Sequence, residues 1–155
     1  MPAAVALLWM VLLSRPLFSV SEGAGTAAVL AQIHESVPPN AVLLFEDQDG
    51  DSWIGWLAAP LYSIYGDWAL LFDGDQPDPT LLQQAADGYT TLGRSIYLVT
   101  QQPELPVALL PAGYRADLVQ QLPWQSTLIG QTTAPYPPPI WYFLHPVNLY
   151  RLERQ

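Results

Sequence analysis

The sequence predicts an α/β domain in three layers, with a mainly parallel βαβαβ sheet, added antiparallel C-terminal strands and an apolar N-terminal helix in front. Three observations carry that expectation. Short uninterrupted apolar runs recur at "AVLLF" (residues 41–45), "WALLF" (68–72) and "SIYLVT" (95–100). Segments of helical period lie between them, and turn formers mark each change of period. Continuous apolar strands joined through helices imply parallel pairing with both sheet faces covered, because right-handed crossovers lay the helices there.

Each element has its own reason. Residues 1–20 open on an apolar run, Ala3 to Leu13, followed by Arg15 and Pro16. A bilayer core takes about 20 apolar residues in a helix, so the run is short by itself; the segment reads as a membrane-type helix, complete or cut short at Met1, with Arg15 at the interface in the latter case. It lacks the basic start of a signal peptide, and Ser19-Val20-Ser21 is a weak cleavage site. A buried core element is the competing reading. One arginine is too little to set an orientation. The domain proper is expected over residues 21–155.

Residues 26–37 read as a helix with Ala27, Leu30, Ile33, His34 and Val37 near one face, ended by Pro38-Pro39-Asn40. Residues 41–45 form a buried strand. Residues 53–65 are apolar on most sides, and Pro60 fits the first turn of a short helix that Gly66 terminates. Residues 68–72 form a second buried strand. Asp78-Pro79 is a helix start, an N-cap with proline at the first helical position, and Leu82, Ala85, Ala86 and Tyr89 line one face before Gly93 stops it. Residues 95–100 form the third strand. Beyond it, "RADLVQQL", "STLIGQTT" and "VNLYRLE" read as extra antiparallel strands at one edge.

Charge narrows the function. Fourteen acidic residues face five basic ones, all arginine, for a net charge of -9. No Lys, Arg or His occurs between Glu35 and Gly93, although carboxylates recur there. Such a field repels nucleic acid, which is excluded as a partner. Cysteine is absent, which removes disulfides, thiolate metal sites and thiol nucleophiles.

Two stretches carry candidate chemistry. Asp47, Asp49 and Asp51 share the opening spacing of an EF-hand loop, but its sixth and twelfth positions hold Ser52 and Ala58 in place of Gly and Glu. A looser divalent-cation site survives that failure, because Asp73 and Asp75 follow the next strand. Neighbouring parallel strands would bring Asp47, Asp49, Asp51, Asp73 and Asp75 to one carboxyl edge, where ligands of open α/β sheets bind. Ordinary turn chemistry explains the same residues. The second stretch, Gly23-Ala24-Gly25-Thr26-Ala27-Ala28, matches G-x-G-x-x-A before a helix, with Glu46 or Asp47 a little over twenty residues on. In a nucleotide-binding Rossmann-like protein Gly23 and Gly25 would admit the pyrophosphate. A flexible junction between a membrane helix and a soluble domain explains those glycines more cheaply. There is no G-x-S-x-G motif, and His34 and His145 read as structural or solvated. Trp53, Trp56 and Trp68 flank buried elements and read as core, whereas Trp124, Tyr136, Trp141 and Tyr142 suit a carbohydrate surface or a membrane interface.

The order of these pieces resembles the C-terminal end of large bacterial membrane glycosyltransferases of the GT-C type, which use lipid-linked sugar donors. The resemblance rests on the apolar helix followed by "VPPNAVLLF", on "PLYSIYGDWALLF" and on the "LYRLE" ending. It implies a membrane-attached extracytoplasmic α/β domain whose partners are the membrane and a lipid-linked sugar or glycan. It also implies no catalysis by this chain alone, because the acidic residue that does the chemistry in that class lies in an early loop absent here. A non-enzymatic interaction module is the remaining alternative.

Overall fold

The computed structural model describes residues 24–47, 55–74, 76–102, 104–129 and 140–155. The first helix, α1 (Ala24–Ser36), leads through the Pro38–Ala41 turn into β1 (Val42–Asp47). Next come α2 (Gly55–Pro60), a π-helical extension (Leu61–Tyr65), β2 (Trp68–Asp73), α3 (Pro79–Thr91) and β3 (Ile96–Thr100). Two long strands, β4 (Tyr114–Ile129) and β5 (Ile140–Arg154), complete a five-stranded mixed sheet in the order β2-β1-β3-β5-β4. The chain is therefore α/β, with β1 flanked by parallel β2 and β3, and with β5 and β4 added antiparallel. The expected apolar helix at residues 1–20 lies outside the described residues. Among those described, no helix is long and apolar enough to cross a membrane.

Two apolar clusters cover the two sheet faces. On one side Leu43, Phe45, Tyr97 and Val99 pack with Val29, Leu30 and Ile33 of α1 and with Leu57, Ala58 and Leu61. On the other, Val42, Leu44, Ile96 and Leu98 pack with Ala86 of α3 and with Leu109 and Tyr114. Period-2 side-chain direction explains the division, since odd residues of β1 and β3 meet α1 and α2 while even ones meet α3. The β1–β2 and β2–β3 connections thus pass over opposite faces.

Three local expectations are corrected. Pro60 is not in the first turn of its helix but ends α2, where the backbone changes from α to π. Proline cannot donate to the carbonyl four residues back and crowds it, so the helix widens there. Gly66 does terminate the segment, in the left-handed region at φ 74°. Second, β2 is an edge strand and largely exposed, not a buried one. Third, "RADLVQQL" and the start of "STLIGQTT" belong to one strand, β4, with a bulge between Leu118 and Gln120. The C-terminal strands do add antiparallel at one edge of the sheet, with β5 entering between β3 and β4. Pro123 is tolerated because β4 is the outer strand, and it stands opposite Pro146 beyond the reach of β3.

Burial also reverses for two tryptophans, Trp68 and Trp124. Trp124 is fully buried, with its indole N–H donating to the Thr26 hydroxyl at 3.0 Å, whereas Trp68 is half exposed on β2. Edge position decides the second case, and the length of β4, which carries Trp124 back under α1, decides the first.

Candidate site at the carboxyl edge of the sheet

Where the connections from two neighbouring parallel strands diverge to opposite faces, a crevice opens beyond their carboxyl ends. The β1 connection passes over the α1 and α2 face and the β3 connection, through Leu109, over the α3 face, so that place lies between β1 and β3. It is occupied by a polar cluster built from three strands. Glu46, the penultimate residue of β1, is buried at 3% exposure. Its two carboxylate oxygens accept hydrogen bonds from the Thr100 hydroxyl at the end of β3 and from the Gln102 side-chain amide just past it. The Gln102 backbone N–H donates to the Thr100 hydroxyl at 3.0 Å. Asn148 of β5, register partner of Thr100, is also buried and donates its side-chain N–H to the Gln102 carbonyl.

The cluster is local chemistry set by topology. Burying a carboxyl group is costly without donors, and the end of β3 supplies a hydroxyl and an amide at the required height. Gly74, just past β2, closes the cluster from the other side of β1. A β-carbon there would lie 2.7 Å from Glu46 Oε1 and 3.0 Å from Cδ. Glycine is needed for close approach, not for an unusual backbone angle. Gln102 is only half-buried and so presents the accessible part of the set. Next in sequence, the Gln101 side-chain nitrogen is buried with no hydrogen-bond partner among the described residues.

The acidic turns are partly visible. Asp47 and Asp73 are register partners at the carboxyl ends of β1 and β2, so two of the proposed cation residues do share one edge. Asp73 accepts from the Gln76 backbone N–H at 3.1 Å, a turn-forming bond. Asp49, Asp51 and Asp75 lie outside the described residues. Among those described, no three His, Asp or Glu residues group as metal ligands. Asp78 caps α3 as expected, accepting from Thr80 N at 2.8 Å and Leu81 N at 3.3 Å.

Gly25 stands in the first turn of α1, and Gly23 lies outside the described residues. A dinucleotide fold would need a strand running into Gly23 and lying beside β1. Both sides of β1 are taken, by β2 and β3.

No family model, curated protein or solved structure matches the chain. Its own geometry therefore carries the functional reading. A second polar group lies at the opposite edge of the sheet. Buried Asp67, just ahead of β2, pairs with His34 Nδ1 of α1 at 2.9 Å, and the imidazole lies 4.8 Å from the Tyr65 ring, centroid to centroid. The pair fastens α1 to the π-helical turn, which gives His34 a structural task.

Sequence reasoning noticed Glu46 only as a nucleotide ligand and passed over Thr100, Gln102 and Asn148. One signal was present: Glu46 directly follows the apolar run 41–45, so burial of that strand takes its carboxylate inside. Gln102 and Asn148 are 46 residues apart, and no spacing rule joins them.

Proposed function

We propose that this chain is a non-catalytic, extracytoplasmic accessory domain of the membrane glycosyl-transfer class that its sequence resembles, and that the polar cluster around Glu46, through Gln102, is where it engages a glycan. The observation that supports this most directly is the partly exposed Gln102 amide, locked by Glu46 and Asn148 at the divergence of the β1 and β3 connections. A carboxylate, amides and a hydroxyl held together offer both donors and acceptors, which suits the vicinal hydroxyls of a sugar. In this reading Gln102 meets the ligand, and Glu46 and Asn148 hold Gln102. The sequence resemblance, not the site, is the ground for the membrane and for the lipid-linked sugar.

Titration of isotopically labelled full-length chain with short oligosaccharides and a soluble lipid-linked sugar analogue tests the proposal by NMR. Shifts should concentrate at Gly74, Gln101 and Gln102, and Gln102→Ala should abolish them while the remaining spectrum stays native. Absence of any shift at millimolar glycan, or shifts indifferent to Gln102→Ala, defeats it.

A further inference from the structure

The two edges of the sheet are guarded differently. Outer strand β4 carries Arg115, Asp117 and Pro123, the residues that discourage strand addition. Outer strand β2, "WALLFD", has no proline or glycine and no charge before Asp73. Its Trp68, Leu70 and Leu71 are 47%, 39% and 47% exposed. Among the described residues no strand pairs with this edge, and an apolar edge of this kind favours a cover.

We propose that a second copy of this chain provides the cover, by antiparallel pairing of β2 with β2 across a two-fold axis near Leu70 and Leu71. The argument is self-complementarity. Trp68, Leu70 and Phe72 share the α3 side of the sheet, and a two-fold axis normal to the sheet keeps that side common to both copies. Trp68 of one copy then arrives at the far end of the other's β2. On that side a groove of about 410 Å³, lined in part by Leu70, Phe72, Leu81, Asp73 and Asp78, is open to receive an indole. Arg94 travels with it, since its guanidinium stacks 4.0 Å from the Trp68 ring centroid. The cation thereby meets the acidic rim formed by Asp73 and Asp78, twice by symmetry. Parallel pairing would instead set aspartate against aspartate and leave the groove empty. A foreign strand would satisfy the backbone but would owe nothing to the match between the Trp68–Arg94 end and the groove end. The net charge of -9 per copy opposes association only weakly, because charges beyond roughly 8 Å are screened at physiological salt. This inference is independent of the glycan reading.

Sedimentation velocity of the full-length chain over micromolar concentrations is the first measurement, and a dimer is expected. Leu71→Lys should weaken it roughly tenfold or more by burying like charges at the axis. Arg94→Glu and Asp73→Arg should each weaken it, and the double exchange should restore it. Because the chain has no cysteine, a single cysteine at Leu70 or Leu71 should give an oxidised dimer that Val107→Cys, exposed and off the interface, does not. A monomer at every concentration, a dimer indifferent to Leu71→Lys, a failed charge-exchange rescue, or cross-linking equal at position 107 would each overturn the proposal.

Discussion

Gly74 faces the Glu46 side chain so closely that a methyl group in place of its hydrogen would stand 2.7 Å from Oε1. The relation ties the end of β2 to the buried carboxylate of β1 and makes position 74 a probe of the whole cluster. Gly74→Ala should cost about 1–3 kcal/mol through overpacking, read as a lower urea midpoint with unchanged slope. Thr100→Val, which keeps shape but removes a donor from buried Glu46, should cost about as much, ~1–3 kcal/mol. Equal stability in both variants would mean that the cluster is looser than the geometry states.

The two tryptophans on β2 and β4 should behave oppositely. Trp124→Ala empties a fully buried site beneath α1 and should destabilise by about 3–5 kcal/mol. Trp68→Ala should leave the urea midpoint of the monomer within about 0.5 kcal/mol of the parent. Collisional quenching of tryptophan fluorescence, at concentrations low enough for the monomer, gives a second check, since Trp68 of the monomer is reachable by iodide and Trp124 is not.

His34 and Asp67 fasten helix to strand. His34→Ala removes the imidazole from the buried Asp67 carboxylate and should cost about 1–3 kcal/mol. Asp67→Asn, which keeps a hydrogen-bond acceptor for the ring, should cost less. Thermal melts of the two variants order them, and the reverse order would refute the role given to the pair.

Acid should loosen the C-terminal hairpin and the end of α3. The Arg115 guanidinium, with Arg151 beside it, holds the Glu153 carboxyl below its ordinary value. The Gln83 amide, with the Tyr114 hydroxyl and Arg154, does the same for Asp87. Folded-state values below the unfolded ones mean that these groups stabilise the fold above the ordinary carboxylate range. That contribution fades as pH falls through the lowered folded values. All of these groups are at the surface, so the effect is small and salt-sensitive. Melting temperature against pH should fall on the acid side, and Glu153→Gln with Asp87→Asn should flatten the fall.

Local rules read the elements well because their causes are local. Asp78-Pro79 starts α3, Gly66 and Gly93 stop helices in the left-handed region, and the three apolar runs are β1, β2 and β3, parallel and adjacent. Burial was less legible. An apolar run states that a strand has partners available, not that it has them on both sides, so "WALLF" read as interior although it ends the sheet. Trp124 read as surface for the converse reason, since nothing near it in sequence shows that α1 will lie over it.

By itself, then, the sequence determined the alternation of strands and helices, the parallel pairing of three strands and the acidic character of their carboxyl edge. Periodicity, caps and charge are properties of neighbours along the chain. Only the tertiary structure decided which strand stood at the edge, and that Glu46, Thr100, Gln102, Asn148 and Gly74 would meet. Those residues come from β1, from the end of β2, from β3 and from β5, and their hydrogen bonds exist only once the strand order β2-β1-β3-β5 stacks their ends at one height.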